Sequence, residues 1–144
     1  MGIIVTWMKD FYNIKLIQQK RDNDCGVAVI SMLSGVKYFE VKRKLIQTKI
    51  IHPDYCYMNF RQIKHGLVLF NINVKYRRKF SRWRDIQNTS IVSTNYTQNR
   101  KYWHWVLFIR LMDDRFIIDP NHTKIIKDFR GRESGCYIEI CKTK

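Results

Sequence analysis

Four residues of this chain have the types and the spacing to carry out acyl transfer through a thiol. Cys25 ends the polar run Gln19-Lys20-Arg21-Asp22-Asn23-Asp24 and opens an almost wholly apolar stretch that continues through Leu33. Asp22, Asn23 and Asp24 are all good N-cap residues, so a helix is expected to begin within a residue or two of Cys25. The exposed N–H groups and positive dipole end of such a start favour negative charge, and the thiolate is the reactive form of cysteine. Gly26 leaves room beside it for another backbone or a substrate. His104 stands at the head of an apolar, strand-like run ending at Ile109. A rigid strand there can aim its imidazole into a cleft as a general base. Asp119, just before Pro120, ends the run that returns from Asp113-Asp114. The return brings it beside His104, where it can accept a hydrogen bond and fix the tautomer. Gln19, six positions before Cys25, can offer a side-chain N–H to the oxyanion formed when Cys25 attacks a carbonyl. Singly, a buried cysteine, a strand histidine or an Asp-Pro turn is commonplace; the ordered set carries the inference. His52, His65 and His122 read as structural or surface residues.

The elements that must position these side chains follow from hydrophobic periodicity. Cys25–Ser34 reads as a central helix, apolar on nearly every side and closed by Gly35. A second helix is expected over Tyr38–Gln47, with Phe39, Val41, Leu45 and Ile46 inward and Lys42, Arg43 and Lys44 outward. Asn59 and Gln62 have capping-box spacing at the start of a short third helix that should end at Gly66. Phe11–Ile17 is a short strand or a first turn of helix, and His52-Pro53-Asp54 is a loop. From Leu67–Phe70 onward the period changes to that of strands. Ile72, Val74 and Tyr76 alternate with polar residues, and Ser90–Thr94 is a strand candidate. Trp103–Leu111 and Arg115–Asp119 form a hairpin whose first strand is central, and Tyr137–Cys141 comes last. Helices followed by an antiparallel sheet make the class α+β.

At 144 residues the chain is expected to be a single domain over residues 1–144, and 45% hydrophobic residues are enough for a real core. No apolar run reaches the length of a membrane span. Lys9 and Asp10 follow Ile3–Val5 too soon for a signal-peptide core, so export by a cleaved signal is not expected. Cys25, Cys56, Cys136 and Cys141 contain no CxxC pair. Neither a zinc site nor a disulfide framework is expected, and a reducing, cytoplasmic setting fits better. With 27 basic and 12 acidic residues the net charge is +15. That surface should attract an acidic partner: protein, nucleic acid or anionic membrane. Six cations, Lys75, Arg77, Arg78, Lys79, Arg82 and Arg84, alternate with Tyr76, Phe80 and Trp83. Either the aromatics pack inward and leave a solvated face, or the stretch docks an acidic protein. A nucleic-acid-binding module is the competing class, though no helix-turn-helix, zinc-finger or RNA-recognition signature supports it.

The ordered set resembles the peptidase C39 family, papain-like cysteine peptidases best known as the processing domains of bacteriocin exporters. The resemblance rests on Gln19, on Asp24-Cys25-Gly26-Val27-Ala28 with Met32-Leu33, on His104-Trp105-Val106 and on Asp119-Pro120. It spans residues 15–120 and implies a papain-like α+β fold with an N-terminal helical part and an antiparallel sheet. By it, Cys25 is the nucleophile, His104 the base, Asp119 the orienting residue and Gln19 the oxyanion donor. Gly26 and Trp105 would lie along the substrate, with no cofactor or metal needed. Family members typically cut after a Gly-Gly pair, so a protein or peptide cleaved beside glycine is the expected substrate. No transporter segment accompanies these motifs, and the surface is more basic than a processing domain needs. In this the chain looks like a papain-like interbacterial toxin domain, active in a target cell's cytoplasm and restrained by an acidic immunity protein or inhibitor. Related toxin domains deamidate glutamine with the same triad, since the two chemistries share an acyl-enzyme, and both stay open at this point. From Asn121 onward nothing matches the family.

Overall fold

A computed structural model of the chain describes residues 14–21, 23–111 and 113–141. The chain divides between Ile72 and Asn73 into two compact units. The first is helical and the second is built on an antiparallel sheet, so the α+β order holds. Phe11–Tyr12–Asn13, the Ile3–Val5 run, Lys9, Asp10 and Asp22 lie outside the described residues; residues 14–17 take no regular structure.

The first unit contains α1 (Cys25–Ser34), α2 (Tyr38–Gln47) and α3 (Phe60–Leu69). Because α1 is apolar all round, it is buried continuously from Cys25 to Met32 and forms the centre of the unit. It stops where Gly35 takes the left-handed conformation (φ 74°) and donates its N–H to the Ser31 carbonyl. Amphipathic α2 turns Tyr38, Val41 and Leu45 inward. Phe39, expected inward, is 68% exposed. The i, i+3, i+7 stripe is set by Tyr38, which puts Phe39 about 100° round the helix. The capping box of α3 forms in full: Asn59 Oδ1 accepts the Gln62 N–H at 2.9 Å, and Gln62 Oε1 accepts the Asn59 N–H at 2.8 Å. That helix does not end at Gly66; it runs on to Leu69, so most of Leu67–Phe70 is helical instead of strand-like. Gly66 is a packing position. A Cβ there would lie 2.7 Å from Ile30 Cδ1 and 3.2 Å from Leu45 Cδ2, so a larger residue would have to push these side-chain ends of α1 and α2 aside.

The second unit is one five-stranded antiparallel sheet. Its strands are β1 (Val74–Lys79), β2 (Ser90–Thr94), β3 (His104–Leu111), β4 (Asp114–Ile118) and β5 (Cys136–Ile140), in the spatial order β1-β5-β2-β3-β4. The unbroken apolar strand β3 is interior, between β2 and β4. The β3–β4 hairpin runs in register from Leu111↔Asp114 back to Leu107↔Ile118. On one face Val106, Phe108 and Ile117 join Val92, Ile86, Trp83 and Phe80 in a common core. The segment after Asn121, silent in the sequence, covers that core with Ile126 and Phe129 and then returns as β5 between β1 and β2. Phe129 stacks on Trp83 with ring centroids 5.4 Å apart.

Candidate active site

Cys25 is the first residue of α1 and is 3% exposed. Asp24 occupies the N-cap position but makes no side-chain cap bond to the helix. Both its oxygens are used elsewhere. Oδ1 accepts the Arg21 N–H at 2.9 Å, and Oδ2 accepts the hydroxyl of Tyr38, the first residue of α2. Asp24 is wholly buried, so the polar run ahead of the cysteine is folded back and tied to α2. Its side chain therefore caps none of the first-turn N–H groups of α1, whose positive dipole end lies at Cys25. Gln19 Nε2 donates to the Arg21 carbonyl at 2.6 Å, while its Oε1 is buried without a hydrogen-bond partner among the described residues. A primary amide has two N–H donors, so anchoring on Arg21 leaves one for a further acceptor. Gly26 does not open onto a substrate path. A Cβ there would lie 3.0 Å from Met58 Sδ and 3.3 Å from Ile63 Cδ1, so the space expected for a ligand is occupied by side-chain packing.

In the second unit His104 opens β3 and Asp119 follows β4. The hairpin register, continued past Leu107↔Ile118, sets residue 121 opposite His104 and Asp119 on the diagonal of the same face. Their side chains meet at 2.6 Å, His104 Nε2 to Asp119 Oδ1. Ionised Asp119 has no proton to give, so Nε2 carries the hydrogen and Nδ1 is the nitrogen placed to exchange a proton with a reacting group. Asp119 is 2% exposed. Its Oδ1 also accepts the Asn121 N–H at 2.8 Å, and its Oδ2 faces Arg132 Nη2 at 3.0 Å and His122 Nε2 at 3.7 Å. Burial alone would raise this carboxyl's pKa. The hydrogen bond and charge of His104, the Asn121 amide and the Arg132 guanidinium together outweigh burial and hold it below the ordinary value.

Two of these neighbours escaped the sequence. His122 read as a surface residue, and half of it is; Arg132 carried no local signal at all. Arg132 closes a hydrogen-bonded β-turn from Phe129, with Gly131 at its third position (φ 79°), and a turn does not announce where the side chain after it goes. Trp105, expected beside the substrate, is wholly buried. Neighbouring strand residues face opposite sides, so a strand that offers His104 to a site must turn Trp105 away from it. Its ring packs edge-on to Trp103 at 5.8 Å.

The basic stretch divides. Phe80 and Trp83 pack inward, but Tyr76 is 82% exposed, at the irregularity in the pairing of β1 with β5 between Val74 and Arg77. Lys75 Nζ pairs with Glu139 at 2.8 Å and Arg82 Nε with Asp85 at 3.3 Å. Arg77, Arg78, Lys79 and Arg84 are exposed. The four cysteines form no disulfide with one another. Among the described residues no group of three or more His, Cys, Asp or Glu is placed to hold a metal ion. No described helix is long and apolar enough to cross a membrane.

A model of the peptidase C39 family matches residues 13–130 of the chain. The matched span takes in Gln19, Cys25, His104 and Asp119 and stops short of Arg132. No curated protein matches the chain.

Proposed function

The chain belongs to the peptidase C39 family and is by that membership a cysteine peptidase, and we propose that Cys25, His104, Asp119 and Gln19 are its catalytic set, acting on a protein or peptide beside glycine. The observation that carries the assignment is the 2.6 Å bond between His104 Nε2 and the buried Asp119, which commits the imidazole to one tautomer. His104 Nδ1 takes the proton of Cys25, and the thiolate attacks the carbonyl carbon of the scissile bond. The oxyanion is met by the Cys25 backbone N–H and the second N–H of Gln19, whose carboxamide is held by its bond to Arg21. Collapse expels the amine, which takes the proton from Nδ1, and leaves a thioester on Cys25. Water then gives a proton to Nδ1, attacks the thioester and releases the acid as the thiol is reprotonated. The glycine preference is supported by the family pattern in Gln19, Asp24-Cys25-Gly26 and His104-Trp105-Val106.

The +15 charge and the exposed cations of β1 support an acidic protein partner, either the substrate or an inhibitor. In the effector reading that partner is an acidic immunity protein, and the substrate lies in the cytoplasm of the target cell. Proteomics of a lysate treated with wild type or with Cys25→Ala tests the assignment. New termini after glycine, absent with Cys25→Ala, are the expected result. Gains of 1 Da on glutamine without new termini would make the enzyme a deamidase, and no difference between the two proteins would end the enzymatic assignment.

A further inference from the structure

We propose that Arg132 is a positioning residue for the His104–Asp119 pair, and that its guanidinium, bound to the far oxygen of the shared carboxylate, makes the imidazole a weaker base. The inference rests on the reading of His104 as the catalytic base. Asp119 sits between two nitrogen donors on different oxygens: His104 Nε2 at 2.6 Å from Oδ1 and Arg132 Nη2 at 3.0 Å from Oδ2. Both ends of the Arg132 pair are buried, with the arginine side chain 12% and the aspartate side chain 3% exposed.

The turn that carries the arginine is built to hold it. Gly131 takes a positive φ, the Arg132 N–H donates to the Phe129 carbonyl at 3.2 Å, and the Arg132 carbonyl accepts from Trp83 Nε1 at 3.3 Å. Phe129 in turn stacks on Trp83. The backbone of Arg132 is thus fixed on both sides against the core under β3. Arg132 lies just beyond the span that the family model matches.

A buried guanidinium here acts on the imidazole in two ways. It draws carboxylate charge away from His104, and it is itself a fixed positive charge beside a group that becomes positive when it takes a proton. Among the described residues of its unit, Asp119, Arg132 and His122 are the charged or titratable groups gathered around the His104 contact. Asp119 at the end of β4 favours the imidazolium. Arg132 opposes it, and His122, 54% exposed and 3.7 Å from Oδ2, opposes it weakly and only when protonated. Under the catalytic assignment Cys25 adds a fourth. With Arg132 present, the neutral imidazole needed to receive the Cys25 proton persists to lower pH than Asp119 alone would allow.

The test is the titration of the His104 ring protons by NMR in a Cys25→Ala background, comparing Arg132 with Arg132→Met and Arg132→Lys. Loss of a full charge on the far side of the shared carboxylate is expected to raise the His104 midpoint by about one pH unit at an effective dielectric near 20. Arg132→Lys, which restores charge without the planar fork, should recover most of that shift. The acid limb of kcat/KM on a glycine-containing peptide should move upward in Arg132→Met by the same amount. A folded Arg132→Met protein with an unmoved His104 midpoint overturns the inference. If that variant does not fold, Arg132→Gln, uncharged but still a donor, is read in its place with the same expected shift. A shifted midpoint in Arg132→Met, together with a wild-type protein that cuts no peptide, would sink the catalytic assignment and leave the role of Arg132 standing.

Discussion

Tyr38→Phe removes one oxygen from the start of α2 and should be felt at Cys25, the proposed nucleophile thirteen residues earlier in the chain. The hydroxyl donates to Oδ2 of Asp24, a side chain with no exposure to water. After the substitution Asp24 keeps one donor, the Arg21 N–H on Oδ1, and solvent cannot supply the missing one. Leaving a buried acceptor short of a partner costs about 1–3 kcal/mol, and the absent hydroxyl adds little void. A value of about 2 kcal/mol lowers the folded-to-unfolded ratio roughly 30-fold. For a chain of this size it should pull a urea midpoint down by about 1 M. The functional consequence follows from the chain of bonds Tyr38–Asp24–Arg21–Gln19. With its anchor loosened, the Gln19 carboxamide samples more positions, and turnover should fall several-fold. The ceiling is the roughly 100- to 1,000-fold expected when an oxyanion donor is deleted outright. KM should hardly move, because the oxyanion exists only on the way to the thioester. Urea titration and steady-state kinetics of Tyr38→Phe, Asp24→Asn and the double variant read this directly. Strictly additive stability losses, or an unchanged midpoint in Tyr38→Phe, would refute the coupling. A destabilised variant with full turnover would show that Gln19 does not depend on it.

Cys25→Ala should abolish peptide cleavage while leaving the thermal melt nearly unchanged, whereas Ser at Cys56, Cys136 or Cys141 should keep most activity; single-site rates with melting curves check both. Asp119→Asn should lower turnover less than His104→Ala does, and it should also flatten the acid side of the stability profile. Asp119 is held below its ordinary value of 3.8 in the folded chain. Its stabilisation is therefore complete above that pH and is lost as pH falls through the folded value, so urea midpoints at pH 7, 5 and 3 should converge for wild type and variant only at the acid end. Reversing Arg77, Arg78 and Lys79 to Glu should slow association with an acidic protein partner several-fold at low salt and leave cleavage of a short neutral peptide unchanged; stopped-flow traces across a salt series would show a flat, salt-insensitive rate if β1 were only a solvated face.

What the sequence discloses here is what a short window controls. The bounds of α1 and α2 and the position of β2 follow from local apolar runs, and α3 starts where its capping box predicts, because capping, periodicity and turn chemistry are each written within a few residues. The meeting of His104 with Asp119 is nearly local as well, since one hairpin register decides it. Gly66 misleads because a glycine that ends a helix and a glycine that lets two helices touch look alike in one dimension; only the nearness of Ile30 Cδ1 separates them. Gly26 and Trp105 err in a related way. Adjacency to a chemically active residue does not give exposure, and in a strand it gives the opposite face. Arg132 lies furthest from view. It reaches Asp119 through a turn whose position depends on Phe129 seated against Trp83, a contact across dozens of residues that no spacing rule encodes. Cys25, His104 and Asp119, proposed as nucleophile, base and orienting residue, can be found from element ends because each sits at or next to the end of a helix or strand. The charge that tunes them comes from a loop whose course is dictated by packing, and loops of that kind can differ between proteins that share a catalytic set.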